Sequence, residues 1–321
     1  MSTTVTARNA AGQTIALGTP VSLEFTASLL LPYRSLEVTV LNAASEQDLR
    51  ELTLLLEGTA VFNGLVDRRL HTVSEEGVYD TFSCRSKGGA QMSDNEQAAY
   101  TYFQVTDTQM METYAEPYGI AGSRFGSSAS LNIFAVAEKE TYWDLMRNYC
   151  LQAYGKHPYV DQGNYINLTP YTGRNRKISN TAEDGFRFSS LLDSHHRNAI
   201  SKMYIKTDED SFGDIYGLDY TNSSAVAAGI KRERYVSLSR SWEADAEIYA
   251  NLQFFYSQVD STEITAVLPG WKDLEPGDSV TLENGQVVKS NLYVGERIIS
   301  AASQGITTSV KLWDKSYLKF L

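Results

Sequence analysis

The sequence predicts an α+β chain that is mainly β, with two β-rich regions flanking a small α/β module. Three observations carry that prediction. Across residues 1–90, short apolar stretches alternate with polar residues between turn signals, which is the pattern of half-buried strands. The middle of the chain holds one clear amphipathic helix followed by a hairpin pattern. Strand signals then return and persist to the end. With 321 residues the chain is long enough for two or three domains. Composition changes divide it into 1–90, 91–180 and 181–321. Apolar residues at 42% and charged residues at 21% are ordinary globular usage, so a packed chain rather than a disordered one is expected.

In the first region Leu36, Val38 and Val40 alternate with Glu37 and Thr39, placing the apolar side chains on one strand face. A run over 52–56 is ended by Gly58. Asn63-Gly64 between Val61-Phe62 and Leu65-Val66 favours a tight turn or bulge, and Glu75-Glu76-Gly77 is a polar turn into the strand 78–84. Short strands at this spacing suggest an antiparallel barrel or sandwich.

Composition shifts at Lys87-Gly88-Gly89. Ser93 and Glu96 have capping-box spacing, which predicts a helix starting near Asp94. A second helical piece over 108–114 is stopped by Glu116-Pro117 and Tyr118-Gly119, and 122–130 reads as a loop. Thr141 and Asp144 can cap the clearest helix. Its stripe is Tyr142, Leu145, Met146, Tyr149, Cys150 and Ala153, with Gly155 as the stop. Tyr159-Val160 and the segment 165–168 form a hairpin pattern around 161–164.

Strand signals return over 200–206 and 235–238, on either side of a polar excursion at 207–217. A helix is predicted from Ser241, with Trp242, Ala246, Tyr249 and Ala250 on one side. Glu275-Pro276-Gly277-Asp278 suits a type II turn, because Pro fixes φ at the second position and Gly accepts positive φ at the third. Asn284-Gly285 predicts a hairpin, and Val310 and Leu312 alternate with polar neighbours before the aromatic tail 313–320. No repeat of solenoid length is visible.

Residues with chemistry are sparse. The net charge of −11 and the lack of any Lys/Arg block disfavour nucleic-acid binding through phosphates. Cys84 and Cys150 are the only cysteines and are expected to be buried thiols in a reducing compartment. Adjacent His195 and His196 diverge on either a strand or a helix, which is poor chelating geometry, so no metal site is expected. Asp208-Glu209-Asp210-Ser211-Phe212-Gly213-Asp214 resembles the start of a calcium loop, but Phe212 stands at a ligand position and no closing Glu follows. A solvated acidic loop is the stronger reading. Glu138, Glu140 and Asp144 could be paired carboxylates for glycoside hydrolysis. Complementing the positive end of a helix is the simpler role for them. The sequence contains no Gly-x-Ser-x-Gly elbow, and 122–126 lacks the Lys of a phosphate loop. No enzyme and no cofactor is expected. Nor is a signal peptide or membrane span seen, so the chain is expected to be made in soluble form in the cytoplasm.

Four stretches, in order, resemble the baseplate hub proteins of contractile phage tails and phage-tail-like particles. That group includes the late-control protein D group and the hubs of defective prophages and R-type bacteriocins. The stretches are Val61-Phe62-Asn63-Gly64-Leu65-Val66-Asp67, then Cys84-Arg85-Ser86 with Asp94-Asn95, then Glu140-Thr141-Tyr142-Trp143-Asp144-Leu145, and Leu274-Glu275-Pro276-Gly277-Asp278. The resemblance implies two tube-protein-like antiparallel β-barrel domains, assembled from discontinuous segments, with a small α/β insert. It also implies a homotrimer forming a pseudo-sixfold ring between a hexameric tail tube protein and a trimeric central spike protein, with tape measure and baseplate wedge proteins as further partners. The place would be the baseplate of a virion or tail-like particle, assembled in the bacterial cytoplasm and released by lysis. An acidic ring lumen would let DNA pass without sticking.

Trp143, Trp313, Tyr317 and Phe320 are the candidate interface residues: the chain has 20 Tyr against 7 Pro, Tyr favours interfaces, and the tail 313–320 is aromatic. Trp143, beside the helix stripe, either packs within the fold, the commoner use of a Trp, or contacts a neighbouring subunit. Two rival readings remain. One is a carbohydrate- or receptor-binding phage tail protein; the other is a peptidoglycan hydrolase built on Glu138, Glu140 and Asp144.

Overall fold

Alternating apolar side chains need a second surface to cover them, and here the strands cover one another by curling. The computed structural model describes residues 2–41, 48–75, 77–171, 173–181, 185–206, 216–238, 242, 245–285 and 287–320. Seven strands come first: β1 (Thr3–Asn9), β2 (Thr14–Gly18), β3 (Pro20–Ser28), β4 (Arg34–Leu41), β5 (Leu49–Leu56), β6 (Thr59–Ser74) and β7 (Gly77–Ser86). They lie in the order β2-β1-β5-β6-β7-β4-β3, all antiparallel. The alternation in β4 places Leu36, Val38 and Val40 in one core with Phe25, Leu52, Leu54 and Phe82.

A turn joins β5 to β6 through Glu57 and Gly58, both at positive φ. Asn63-Gly64, expected at a tight turn or bulge, lies instead inside β6 in regular register, with Gly64 opposite Leu52 on one side and Ser86 on the other, and the bulges fall to either side of it. Glycine stands there because of crowding. A Cβ on Gly64 would sit 2.4 Å from the Arg85 carbonyl oxygen and 2.5 Å from the Phe62 ring.

The module that follows contains α1 (Lys87–Asp94), β8 (Glu96–Gln97), β9 (Tyr100–Thr106), α2 (Asp107–Tyr114), β10 (Gly122–Arg124), β11 (Ser130–Val136), β12 (Glu140–Thr141), α3 (Tyr142–Tyr154), β13 (Pro158–Val160) and β14 (Tyr165–Leu168). The first helix therefore ends at Asp94, where the Ser93/Glu96 spacing predicted a start. Low glycine propensity hid a helix whose first turn carries Gly88, pressed against Gly119 and Ile120, and Gly89, pressed against Pro32. The 122–130 loop also contains a short strand, β10, parallel to β14.

The best-read element is α3. Thr141 Oγ1 accepts the Asp144 backbone N–H at 3.1 Å, Asp144 accepts the Thr141 N–H at 3.3 Å, and Gly155 closes the helix at φ 63°. Its buried face is rotated from the expected stripe to include Trp143 and Leu151. This follows because α3 packs on two sides, against its own module and against the later helix α5 (Ala246–Ser261). That helix starts five residues after the predicted Ser241, itself outside the described residues.

The remaining strands are β15 (Asn175–Ser179), β16 (Phe186–Arg187), β17 (Ser190–His195), β18 (Lys202–Lys206), β19 (Leu218–Thr221), β20 (Glu233–Ser237), β21 (Thr262–Pro269), β22 (Ser279–Asn284), β23 (Val287–Ala302) and β24 (Gly305–Asp314), with a short helix α4 (Ser223–Ala227) after β19. Strands β18, β19 and β20 form a small separate sheet. The others run in the order β16-β15-β22-β23-β24-β21-β17 around a second apolar core that includes Ile264, Leu268, Val294 and Leu312. The predicted turn is present, with Gly277 at φ 94° and the Asp278 N–H donating to the Glu275 carbonyl at 3.0 Å.

The two orders match strand for strand. Of the seven strands in each half, five in sequence (β3-β4-β7-β6-β5 and β17-β21-β24-β23-β22) also agree in direction. Only β15 runs opposite to its counterpart β1. The hairpins β6–β7 and β23–β24 match residue for residue: each has one bulge, after Val66 and after Val294, and each closes on a pair, Ser74 with Gly77 and Ala302 with Gly305. Equivalent residues stand 228 positions apart, as in Arg68 with Glu296 and Val38 with Ala266.

Replacing helical Gly by Ala usually stabilises by about 0.5–1 kcal/mol. Gly89→Ala should do the reverse, costing about 1–3 kcal/mol in urea unfolding, because its Cβ would lie 2.0 Å from the Pro32 carbonyl oxygen. A stabilised variant would contradict this packing.

Candidate functional site at the seam of the two sheet halves

One strand belongs to both halves. At its start β23 pairs with β22, and from Glu296 to Ala301 it pairs with β3 of the first half, while β24 follows it along the other edge. The strand bends between these roles at Gly295, where a Cβ would lie 2.1 Å from the Trp313 ring. Beyond the bend, Ile299 joins the first core.

Charge is concentrated beside this bend. Arg297, 2% exposed, donates to the Leu274 carbonyl at 2.9 Å and to the Glu275 carboxylate, and lies over the Phe25 ring at 5.1 Å. Arg34 donates to the other Glu275 oxygen at 3.1 Å. Burial pushes the Arg34 guanidinium below its ordinary value against the pull of Glu275, and neighbouring Arg297 adds to the lowering. Asp278, at the end of the same turn, accepts the Arg174 backbone N–H at 2.8 Å and the Glu275 N–H at 3.0 Å. The Glu275–Asp278 turn thus clamps β3, β4 and β23 at one point.

Next to the clamp opens a cleft of about 830 Å³ whose walls come from the first half, the α/β module and the turn; they include Arg34, Phe62, Lys87, Arg124, Tyr159, Asp161 and Glu275. Its four lining cations are already matched: Arg34 with Glu275, Lys87 with Glu51 at 3.4 Å, Arg174 with Asp273 and Asp278, and Arg124 with Asp161 at 2.8 Å while lying over Tyr165 at 3.9 Å. Paired charges of this kind position chain segments against one another. They do not present a poised acid and base.

Two of the three carboxylates raised as a hydrolase centre are engaged in structure. Glu140 accepts the Ala137 N–H at 3.1 Å and the Asn148 amide at 3.0 Å. Asp144 caps α3 and pairs with Arg147 at 2.8 Å, and Glu138 is exposed. His195 lies 3.3 Å from Asp193, and His196 is 3.4 Å from the Ser194 hydroxyl. Among the described residues no group of three or more His, Cys, Asp and Glu side chains is placed to hold a metal. The 208–214 loop lies outside the described residues. Cys84 and Cys150 are free and buried, and burial pushes the Cys84 thiol up to about 12. No helix among the described residues is long and apolar enough to cross a membrane.

The aromatic residues expected to face neighbours are mostly turned inward. Trp143 is buried in the module core, and Trp313 packs against Tyr293 and Phe255. Tyr317 is partly buried and within 2.8 Å of the Thr262 hydroxyl, and the Phe320 side chain lies outside the described residues. Large indoles fill space at junctions between elements, and the sequence alone did not separate that use from an interface. Exposed apolar residues occur elsewhere: Leu70 and Val73 on β6, Leu192 on β17, Phe103 opposite Ile133 on the β9–β11 ribbon, and Tyr235 on β20. Among the described residues the outer part of β6 is laddered only to β7, and β17 only to β21.

No protein-family model matches the chain, and no curated protein matches it. Solved structures do match. A tail protein from Neisseria meningitidis MC58 superposes with a TM-score of 0.73 at 14% identity, over 99% of this chain and 98% of that one. The 43 kDa tail protein of prophage MuSo2 from Shewanella oneidensis gives 0.77 at 15% identity, over 99% and 100%. An E. coli component of the type VI secretion system, described as structurally similar to the T4 bacteriophage tail proteins gp27 and gp5, gives 0.54 at 10% identity, over 92% and 73%. At these identities the likeness shows a shared fold, that of phage tail proteins.

Two outcomes follow from the site. Glu275→Ala would leave buried Arg297 and half-buried Arg34 without their shared carboxylate and should cost about 3–5 kcal/mol in chemical unfolding; Glu138→Ala should change little. His157, fully buried, is pushed down to about 3 by burial, with Arg147 adding to the lowering. The unfolded chain therefore takes up this proton first, and stability should fall as pH drops below about 6.5, by at most about 1.4 kcal/mol per unit until pH nears the folded value. In His157→Leu that part of the acid limb should flatten; an unchanged slope would contradict the assignment.

Proposed function

We propose that the chain is a structural subunit of a tail baseplate, a hub whose three copies form a pseudo-sixfold ring joining a hexameric tail tube to a trimeric central spike. The observation that carries this reading is the internal duplication: the strand order β2-β1-β5-β6-β7-β4-β3 recurs as β16-β15-β22-β23-β24-β21-β17 in the same polypeptide. Three chains then offer six nearly equivalent β surfaces to one neighbour and threefold symmetry to the other, which resolves a symmetry mismatch without a second gene product. The likeness to tail proteins over nearly the whole chain supports the reading, as does the type VI secretion component likened to gp27 and gp5.

In this reading residues 1–90 form one tube-like unit, completed by the end of β23. Residues 181–321 form the other, together with β15, and the module between decorates the ring. The role is assembly rather than catalysis, and the matched ion pairs of the cleft fit it. The location is the baseplate of a virion or tail-like particle, with tube, spike, tape measure and wedge proteins as neighbours.

A second reading, a carbohydrate- or receptor-binding tail protein, is favoured by one feature. Exposed Tyr235 stacks on Tyr204 at 4.7 Å with Tyr216 set edge-on at 5.3 Å, which is the kind of surface on which sugars stack.

Native mass spectrometry separates the two. The hub reading expects a species three times the 35.7 kDa chain mass, alone or with its tube and spike neighbours. A chain that stays monomeric with those neighbours present, and binds glycans on an array, would overturn it.

A further inference from the structure

We infer that the outer half of β6 adds as an antiparallel strand to β17 of a second copy of this chain, with Val73 opposite Leu191 and Thr72 opposite Leu192. The inference deepens the trimer reading and rests on it; the duplication supplies the register.

Inside one chain, the outer half of β23 pairs with β3, Ser300 opposite Glu24 and Ala301 opposite Leu23. The counterpart of that part of β23 is the outer half of β6, since Ser300 and Ala301 stand 228 positions after Thr72 and Val73 in matched hairpins. The counterpart of β3 is β17. Leu23 pairs with Val38, Leu191 pairs with Ala266, and Val38 and Ala266 are themselves equivalent. Within the chain β3 carries a strand on both edges, whereas among the described residues β17 carries one and the outer half of β6 carries one. The chain thus makes this junction once and holds both complementary halves of a second. Those halves meet only on another copy.

The side chains fit such a meeting. Ile299 and Ile306, on the β23–β24 arm, complete the core of the first sheet half. Their counterparts on β6–β7 are His71 and Val78, with Val73 beside them 70% exposed. An exposed valine there, on an arm whose twin packs its residues inward, indicates a surface that is covered on assembly. In the inferred register Val73 meets the partly buried Leu191 that already touches the second core, and His71, which lies against Asp80 in its own chain, faces Asp193, which lies against Lys289 and His195 in its own. Each copy gives one strand and receives one, so the contact is head-to-tail. Such a contact closes into a ring or grows into a filament. Six junctions of one kind, three within chains and three between them, correspond to the ring of three.

Paired cysteines test the register. Thr72→Cys/Leu192→Cys and Val73→Cys/Leu191→Cys occupy adjacent positions, so one of them is a non-hydrogen-bonded pair, the closer geometry, and both fall within disulfide reach. Three of the four sites are at the protomer surface, and Cys84 and Cys150 are buried. Mild oxidation of the full-length chain should give covalent dimers and trimers in denaturing gels, ending at three copies. The slipped control Thr72→Cys/Ser190→Cys should give several-fold less. A chain that is trimeric by native mass but cross-links at neither pair, or equally at the slipped one, overturns this inference and leaves the trimer reading standing. A chain that is monomeric with its tube and spike neighbours present overturns both. If the double variants misfold, Val73→Asp alone serves, because its site is exposed. Retained trimerisation in that variant also counts against the pairing, and loss of the trimer with an unchanged unfolding curve supports it.

Discussion

The architecture depends on a single strand being shared. The backbone groups of β23 cannot stay unpaired in the interior, and they are satisfied by three neighbours in turn: β22 at its start, β24 along one side, β3 at its end. A strand can change partners in this way only if it bends. Gly295 supplies the bend because no side chain fits beneath the Trp313 ring. Arg297, two residues on, then carries its charge into the seam, where Glu275, the Leu274 carbonyl and the Phe25 face receive it. Without that strand the two sheet halves would be two separate sheets, and the relation between them would be left to side-chain packing.

Duplication explains the rest economically. A bulge after Val66 and another after Val294 sit at the same place in two hairpins of equal length. The occupants differ according to role. Gly295 lies under an indole, whereas its counterpart Asp67 is exposed enough to bind Arg85 at 2.8 Å through both oxygens, and Arg85 reaches on to Asp94 of α1. One copy of the hairpin is built into the seam; the other anchors the helical module to the outside of the first half.

Local features of this fold were legible wherever local physics decides. The alternation at Leu36, Val38 and Val40, the Thr141–Asp144 cap and the Glu275–Asp278 turn each follow from residues close together in sequence, and all appear where expected. Long-range crowding was not legible. Asn63-Gly64 looks like a turn or bulge and Lys87-Gly88-Gly89 like a shift in composition, yet Gly64 is set by Arg85, Gly88 by Gly119 and Ile120, and Gly89 by Pro32, whose approach no local pattern reveals. The duplication stayed hidden because equivalent positions keep little of their residue type and only part of their burial: Val38 matches Ala266 with both buried, but Arg68 matches Glu296 and exposed His71 matches buried Ile299. Of the candidate site, the turn at 274–278 was visible as a turn and as a point of resemblance, but its grip on Arg34 and Arg297 depends on pairing between the two ends of the chain. A large aromatic packs equally well at an internal junction or an external one, and within the chain Trp143 and Trp313 fill internal ones.

If one polypeptide holds two versions of the same β unit so that three copies can stand in for six, the assembled particle must show it. The most direct measurement is single-particle electron cryomicroscopy of the purified assembly viewed along its axis. The account predicts a threefold ring with six near-identical β densities, alternating between junctions made within a chain and between chains. A twofold particle, or a threefold one with only three β densities around its channel, would contradict it.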